Sequence, residues 1–275
     1  MAITAFVAGA SSGLGAEMAR ALAEVGYVTY AGARSFARGA EAPGRSIPIP
    51  LDVTDPASVD AALQRVFVET GRVDAVIVCA ARIVQGACEE LSDAELDDVL
   101  QTNFLGAVRV VRAALPIMRA QGSGHIFLFS SLNGLFAIPF TGAYIASKHA
   151  VEGFGEALFQ EVRRYGIHVT LVEPGDCRNG SDVYRQRAAK AVLETSPYKA
   201  AFTSATGIIR RDEHNGMPPA RISKAVLSAL RKKRPPLHLV VAPFSQKIGV
   251  WLHDLLPSRL FFQLIESIYC GKDSS

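Results

Sequence analysis

A phenol and an ammonium group stand four residues apart near the middle of the chain. Tyr144 and Lys148 fall within a stretch of helical periodicity, so this spacing places both side chains on one face, one turn apart. A tyrosine with a pKa of about 10 is a poor base at neutral pH, and a neighbouring positive charge moves that pKa towards the working range. The pair predicts proton exchange at the Tyr144 hydroxyl, although the same spacing is common on exposed helices.

A glycine-rich turn follows the first predicted strand and opens the first predicted helix. Such a turn lets bare backbone N–H groups approach a pyrophosphate at the positive end of the helix. Its spacing, G-x-x-x-G-x-G, differs from the common dinucleotide fingerprint, and a turn without a ligand is the alternative. The position directly after the first strand favours a dinucleotide. The residues expected to bind it here are Gly9, Ser11, Ser12, Gly13, Leu14 and Gly15.

The end of the second predicted strand bears on the choice of dinucleotide. In such folds an acidic residue about 20 residues beyond the glycines bonds the ribose of NAD, whereas an arginine accommodates the 2′-phosphate of NADP. No acidic residue occurs between Gly26 and Arg38, and Arg34 offers a planar donor fork that suits a phosphate. The sequence therefore predicts NADP(H). The alternative is that Arg34 only ends a strand at the surface.

Short β-branched runs alternate with helix-length stretches, which is typical of βαβ units and a parallel sheet. Several runs are apolar at nearly every position, as suits strands covered on both faces. We therefore expect an α/β fold with a Rossmann-like, doubly wound, seven-stranded and mostly parallel sheet. The predicted strands are Ile3–Val7, Val28–Ala33, Ile47–Leu51, Ala75–Val78, Ile126–Ser130, Ile167–Val172 and Leu237–Val241. The predicted helices are Gly13–Val25, Ala57–Thr70, Asp93–Ala120, Ala143–Arg164 and Ile222–Lys232.

No internal repeat, low-complexity tract or long linker marks a domain boundary. We expect residues 1–275 to form a single Rossmann-like domain. The least regular part is the segment 175–219, where Gly, Asn, Ser and Pro interrupt the helical periodicity, as expected of a substrate-binding loop or lid. Residues 244–270 are predicted to form a packed helical appendage that walls the substrate pocket or a subunit interface.

Composition restricts the partners. With 49% hydrophobic and 20% charged residues, the chain is typical of globular proteins, and its net charge of +3 gives no strong field for nucleic acid or an anionic membrane. We therefore expect a small-molecule substrate and no nucleic acid. No transmembrane segment is expected, because the most apolar late stretch is interrupted by His253, Asp254, Pro257, Arg259 and Glu266.

The four cysteines and the histidines show no special arrangement. The cysteines include no C-x-x-C pair, and no signal peptide precedes the first strand, so a reducing, cytoplasmic location is expected. His149 and His168 are not accompanied by a metal-ligand spacing. We interpret both as structural and expect no metal.

Other residues join the tyrosine and lysine in a larger constellation. Ser130 and Ser131 end the fifth predicted strand, and Asn103 lies in the long helix before it. With the glycine turn, this constellation resembles the short-chain dehydrogenase/reductase family in its ordinary single-domain form, from residue 3 to about residue 175. In that family the serine lies thirteen residues before the tyrosine, which selects Ser131 over Ser130.

The resemblance implies a role for each member. Tyr144 would be the general acid/base, and Lys148 would hold the nicotinamide ribose and depress the pKa of the tyrosine. Ser131 would hydrogen-bond the substrate oxygen, and Asn103 would anchor a water in the proton relay. These roles make chemical sense, because hydride transfer to a carbonyl develops an alkoxide, which needs fixed donors and one proton.

The resemblance extends the cofactor site and also shows departures. It implies that Asp52 and Val53 line the adenine pocket, although Asp52 equally suits the start of a turn. Where the family usually has Asn-Asn-Ala-Gly after the fourth strand, this chain has Val78-Cys79-Ala80-Ala81, which keeps only the small Ala80. Asn179 stands near the position where many relatives have a threonine that contacts the nicotinamide carboxamide. The turn expected beside the nicotinamide is Pro174-Gly175.

The resemblance implies an NADP(H)-dependent oxidoreductase that interconverts a ketone or aldehyde and an alcohol, on a fairly apolar substrate. An epimerase or dehydratase shares Tyr-x-x-x-Lys, but the chain is short for a separate C-terminal substrate domain. A catalytically inactive, nucleotide-sensing regulatory protein is a third hypothesis, and it would be free to lose members of the constellation that are all present here. The resemblance also implies a homodimer or homotetramer built through the two long helices.

Overall fold

The structure, a computed structural model, describes residues 3–178, 180 and 184–271. Its strands are β1 (Thr4–Ala8), β2 (Val28–Ala33), β3 (Ile47–Pro50), β4 (Ala75–Val78), β5 (Ile83–Gln85), β6 (Gly124–Phe129), β7 (Ile167–Pro174), β8 (Arg185–Arg187) and β9 (His238–Val241). Its α-helices are α1 (Gly13–Glu24), α2 (Pro56–Thr70), α3 (Asp93–Leu100), α4 (Gly106–Gln121), α5 (Gly142–Val162), α6 (Lys199–His214), α7 (Pro219–Leu230), α8 (Phe244–Leu255) and α9 (Ser258–Tyr269).

Seven of these strands form one sheet in the order β3-β2-β1-β4-β6-β7-β9, and its neighbouring strands pair in parallel. The predicted seven-stranded α/β architecture is confirmed. The strand order reverses between β1 and β4, where Ala8 is in register with Val78. In open parallel sheets, ligands bind beyond the carboxyl ends of the strands at such a reversal. The glycine turn leaves β1 at this place.

The sheet is covered on both faces, which explains its continuous apolar strands. Every residue of β1 and of β4 is buried. One face packs Phe6 and Ile126 against apolar residues of α2, α4 and α5, and the other packs Phe127 against α1 and α7. Burial of one such large side chain contributes about 1.5–3 kcal/mol relative to exposure. These two layers hold the strand ends in fixed positions.

The helix predicted over Asp93–Ala120 is interrupted. α3 ends at Leu100, a wider π-helical turn covers Gln101–Leu105, and α4 continues from Gly106. Single π-turns within helices occur frequently at functional sites. This one carries Asn103, which is 2% exposed. Periodicity alone did not predict the interruption, because a π-turn adds one residue without ending the helix.

Two parts of the fold were not predicted as regular structure. β5 and β8 form a separate, parallel, two-stranded sheet. The segment predicted to be irregular, 175–219, contains β8 and also α6, whose Phe202, Ala205 and Ile209 are buried at helical spacing. The expected helical appendage corresponds to α8 and α9. The division into one domain with a lid and an appendage stays a prediction.

No α-helix in the described ranges is both long and apolar enough to cross a bilayer.

Candidate active site

A cavity of about 440 Å³ opens where the strand order reverses, at the carboxyl ends of β1 and β4. It brings together most of the residues predicted to bind the cofactor. Those on its lining are Gly9, Ser11, Ser12, Gly13, Leu14, Gly15, Arg34, Asp52, Val53, Ala80, Tyr144 and Lys148. We call this space the nucleotide cavity. Asn179, the possible carboxamide contact, lies outside the described residues.

Two glycines shape the turn that borders the nucleotide cavity. Gly9 has a φ of 87°, and a Cβ atom on it would lie 2.5 Å from the backbone of Ala80. A Cβ atom on Gly15 would lie 2.0 Å from the carbonyl oxygen of Gly9. The turn therefore brings backbone that carries no side chain to the N-terminus of α1, where the helix dipole favours a pyrophosphate. These residues fit a dinucleotide, and the close approach to the Ala80 backbone explains why position 9 requires a glycine.

Arg34 and Asp52 also border the nucleotide cavity. Asp52 accepts hydrogen bonds from the Thr54 backbone N–H at 2.9 Å and from the Thr54 hydroxyl at 2.7 Å. Burial acts to raise the pKa of Asp52, but these bonds and the nearby Arg34 hold it below its usual range. Arg34 is exposed and forms no ion pair with another described residue. Its guanidinium is available to a ligand.

Tyr144 and Lys148 lie one turn apart on α5, as predicted. The Lys148 ammonium is 5.5 Å from the centre of the Tyr144 ring and donates a hydrogen bond of 2.6 Å to the carbonyl oxygen of Phe129. Burial raises the pKa of Tyr144 to about 12, which a hydrogen bond with Ser131 opposes. Burial lowers the pKa of Lys148 to about 8. At neutral pH the phenol is thus protonated and the ammonium is charged, so Tyr144 is ready to donate a proton.

Ser131 begins the turn between β6 and α5. Its hydroxyl oxygen accepts a hydrogen bond of 3.2 Å from the Asn133 backbone N–H. This contact uses an oxygen lone pair, so the hydroxyl proton is left for the hydrogen bond with Tyr144, which acts to lower the pKa of that phenol. The structure places Ser131 beside Tyr144 in a second cavity.

Asn103 is tied to protein groups around α5. Its side-chain oxygen accepts from the Arg82 backbone N–H at 2.6 Å, and its amide donates to the Arg82 carbonyl and the Ser147 hydroxyl, both at 2.9 Å. Ser147 in turn donates to the carbonyl oxygen of Tyr144 at 2.6 Å. Asn103 therefore fixes the backbone of the tyrosine turn. Its expected role in holding a water stays a prediction.

The second cavity, of about 240 Å³, adjoins the nucleotide cavity. We call it the substrate cavity. Tyr144 and Leu14 line both spaces, whereas Pro174 and Gly175, predicted to bind the cofactor, line only the second. Polar residues that the sequence did not single out also line it, namely Gln85, Asn133, Thr141, Asp176, Arg185, Asp212, Glu213, Gln246 and Tyr269. Among them, Asp176 had one signal, because it directly follows the predicted Pro174-Gly175 turn.

A second titratable cluster lies near the end of β7, outside both cavities. Glu173 Oε1 is 2.7 Å from His238 Nδ1, and Glu152 Oε2 is 3.8 Å from the same nitrogen. One ligand atom from each of these residues lies within 4.8 Å of the others. The hydrogen bond with His238 accounts for the closest contact, and the expectation of no metal stays a prediction. Burial, followed by the neighbouring Glu152, raises the pKa of Glu173 to about 7.

Glu173→Gln is expected to change how stability depends on pH. The pKa of Glu173 is raised in the folded state, so the folded protein resists its ionisation, and the unfolding free energy falls as pH rises from about 4.5 towards 7. The variant should lack this loss, which we estimate at about 2 kcal/mol. Urea unfolding at pH 5 and pH 7.5 measures the difference. Glu156→Gln, which changes an exposed carboxylate beside His238, is the control, and parallel pH profiles for all three proteins would contradict the assignment.

Known proteins resemble this chain in sequence and in fold. Residues 3–190 match the family model described as short chain dehydrogenase. A curated relative named 3-ketodihydrosphingosine reductase, from Bacteroides thetaiotaomicron, is 34% identical over 263 residues, or 96% of each chain. A solved short-chain dehydrogenase from Streptomyces avermitilis is 30% identical, with a TM-score of 0.79 over 99% of this chain and 100% of that one. Another, from Burkholderia phymatum in complex with NAD, is 22% identical with a TM-score of 0.78 over 95% of each chain.

Proposed function

This chain belongs to the short-chain dehydrogenase family, and on that premise we propose that it is an NADP(H)-dependent oxidoreductase interconverting a ketone or aldehyde and an alcohol. The observation that carries the proposal is the position of Tyr144, which borders the nucleotide cavity and the substrate cavity at once. A proton donor at that boundary can protonate a substrate oxygen while the carbon bonded to that oxygen faces the cofactor.

The reaction in the direction of reduction uses three side chains. The bound nicotinamide supplies the hydride. The hydroxyl groups of Ser131 and Tyr144 hold the carbonyl oxygen, and Tyr144 donates its proton to the alkoxide that develops there. The charged Lys148 sits beside the tyrosine ring and stabilises the phenolate that remains. Alcohol oxidation reverses these proton movements.

The cofactor assignment rests on Arg34. The fold does not select between the two dinucleotides, since the Burkholderia phymatum protein of the same fold was solved with NAD. Arg34 borders the nucleotide cavity and has no ion-pair partner among the described residues, so its donor fork can meet a 2′-phosphate. NADP(H) is therefore the proposed cofactor.

Arg34→Asp is expected to reverse the cofactor preference. The parent protein should bind NADPH more tightly than NADH, because only NADPH offers a phosphate to the guanidinium. A carboxylate at this position repels that phosphate and can accept from the ribose hydroxyls of NADH. Fluorescence titration of both cofactors measures the ratio. Arg38→Asp, at the other end of the same short helix, is the matched control, and an unchanged NADPH/NADH ratio in Arg34→Asp would show that the assignment is wrong.

The walls of the substrate cavity support an apolar substrate. Ile265 and Ile268 of α9 and Phe136 from the turn before α5 line it. The curated relative from Bacteroides thetaiotaomicron is named for the reduction of 3-ketodihydrosphingosine. We therefore propose carbonyl compounds with an extended apolar part as the substrate class.

We also propose a homodimer or homotetramer built through α4 and α5, as the family resemblance implies.

The direct test is consumption of NADPH absorbance with a panel of ketones and aldehydes that includes long-chain members. Turnover of one of them supports the oxidoreductase. Tight NADPH binding without turnover of any of these compounds would instead favour the nucleotide-sensing protein. The presence of Ser131, Tyr144 and Lys148 at the cavities argues against that alternative. Turnover of a nucleotide sugar without net change in NADPH would favour an epimerase or dehydratase.

A further inference from the structure

A buried carboxylate shares the helix face of the tyrosine and the lysine. Glu152 follows Lys148 by four residues on α5, so Tyr144, Lys148 and Glu152 lie at successive turns of one face. Lys148 is 3% exposed and Glu152 is 6% exposed. Cβ atoms at this spacing lie about 5–6 Å apart. An ionised Glu152 therefore acts on the ammonium through a buried environment that screens charges less than water does.

Glu152 is held against the turn that carries Ser131. A Cβ atom on Gly134 would lie 2.3 Å from the Ser130 hydroxyl oxygen and 3.0 Å from Glu152 Oε1, so both oxygens fill space that the glycine leaves open. The other oxygen, Glu152 Oε2, is 3.8 Å from His238 Nδ1. No lysine or arginine forms an ion pair with Glu152 over the described ranges. Its charge is therefore not cancelled by direct contact with a permanent cation.

Glu173 of β7 is the second buried carboxyl of this cluster. Burial raises the pKa of both glutamates, and that of Glu173 reaches about 7. A hydrogen bond with Ser130 and the charges of His238 and Lys148 oppose the rise at Glu152. Two neighbouring buried carboxyls resist ionising together. Glu152 is therefore the one that ionises first, while Glu173 keeps its proton up to about neutral pH.

Two groups act electrostatically on the Lys148 ammonium. Burial dominates and lowers the pKa of Lys148 to about 8, whereas Cys79 and Glu152 both act to raise it. Burial also raises the pKa of the Cys79 thiol far above neutral. A neutral thiol carries no charge, so Glu152 is the anion that favours the charged form of Lys148 near neutral pH.

The other elements packed against this part of α5 add no charge of comparable burial. β5, the π-turn and the turn Leu132–Gly134 contain no titratable residue. The acidic residues of α3 are exposed or half-buried, and Glu156, one turn beyond Glu152, is 53% exposed. His168 begins β7, at the opposite end of that strand from Glu173. Solvent and salt screen exposed charges of this kind.

We propose that Glu152 is a positioning residue that keeps the Lys148 ammonium charged and thereby sets the upper pH limit of the reaction. Glu152 is not on the lining of either cavity, so it acts through Lys148. The charge that it maintains is the one assigned to the nicotinamide ribose and to the phenolate of Tyr144. The inference rests on the proposed function for its kinetic readout, whereas its effect on cofactor binding can be measured without turnover.

Glu152→Gln removes the charge and keeps the size of the side chain. In the parent, kcat/KM for reduction of a compound from the panel should hold up to about pH 8 and fall above it, as the ammonium loses its proton. In Glu152→Gln the same fall should begin about one to two pH units lower, as expected when a unit charge about 6 Å away is removed. The midpoint of the fall is the measured quantity, because a uniform loss of activity does not move it.

Glu152→Asp and Glu156→Gln are the matched controls. Glu152→Asp keeps a carboxylate at this position and should keep the parental midpoint. Glu156→Gln removes an exposed carboxylate of the same helix and should also leave the midpoint in place. An unmoved midpoint in Glu152→Gln, or a shift of equal size in either control, would overturn the inference.

NADPH binding separates this inference from the proposed function. Fluorescence titration of NADPH over the same pH series requires no turnover, and the affinity of the parent should weaken as Lys148 loses its charge above about pH 8. Glu152→Gln should show the same weakening at lower pH. The 2′-phosphate of the cofactor titrates in both proteins, so the difference between them reports the protein.

A lower binding midpoint in Glu152→Gln, without reduction of any compound in the panel, supports the role of Glu152 and refutes only the proposed reaction. Equal binding midpoints in the two proteins would refute the role of Glu152 whatever the enzyme reduces. The same conclusion follows if the affinity of the parent for NADPH does not change above pH 8.

Discussion

Replacement of Tyr144 by phenylalanine is expected to lower turnover by about 10³-fold or more while leaving NADPH binding nearly unchanged. Proton transfer by a positioned side chain typically contributes 10²–10⁴-fold, and this hydroxyl also stabilises the developing alkoxide. The substitution keeps the ring that packs beside Lys148. It deletes only the oxygen at the boundary between the two cavities, so the chemical step should fail and the nucleotide cavity should stay intact.

Single-turnover kinetics with a substrate from the panel, together with NADPH titration, measure the two effects separately. Tyr165→Phe is the matched control, because the Tyr165 hydroxyl accepts a hydrogen bond of 2.7 Å from Arg164 and this residue is not on the lining of either cavity. A Tyr144→Phe protein that keeps a tenth of the parental turnover, with chemistry shown to be rate-limiting, would falsify the assignment of Tyr144 as the proton donor.

Two of the proposed catalytic residues could be predicted from the sequence because their spacing follows local geometry. Residues four apart on a helix, such as Tyr144 and Lys148, share one face of it, and a glycine turn after β1 needs only the local chain to form. The parallel sheet was predictable for the same reason, since fully buried strands have a distinct apolar pattern. Ser131 and Asn103 required the family resemblance, because they reach α5 only through the sheet and the π-turn.

The substrate cavity was not accessible in this way. Arg185 and Glu213 are 28 residues apart, and their ion pair depends on how β8 and α6 close over β5. Three-residue strands are too short to show a period, and their pairing is set by the packing of distant elements. The polar groups of this cavity therefore became visible only in three dimensions, although Asp176 directly follows a predicted turn.

The pKa of Tyr144 shows another limit of local reasoning. A neighbouring cation predicts a lowered pKa, yet in this structure burial dominates and raises the pKa to about 12. Position in the fold decides which effect prevails, because desolvation depends on every element around the site. The phenol is therefore protonated at neutral pH, which suits its proposed role as proton donor in the reduction of a carbonyl.

Lys148→Met is expected to weaken both NADPH binding and turnover, each by at least tenfold. The lysine is 3% exposed, and its ammonium is anchored on the Phe129 carbonyl oxygen. Methionine fills most of the volume of the lysine stem, so lost packing contributes little. What disappears is the charge assigned to the nicotinamide ribose and to the phenolate of Tyr144. Combination with Tyr144→Phe should be less than additive, because both residues serve one proton transfer.

The pH profile separates this charge from a packing role. Because burial disfavours the ammonium, its pKa is lowered to about 8, and the charged form is present below that value and lost above it. Parental kcat/KM for reduction should therefore hold below about pH 8 and fall above it, while the residual activity of Lys148→Met should lack this fall. Lys224→Met, at an exposed position on α7, is the control. A falling limb shared by Lys148→Met and the parent would assign the pH dependence to another group and leave Lys148 a packing residue.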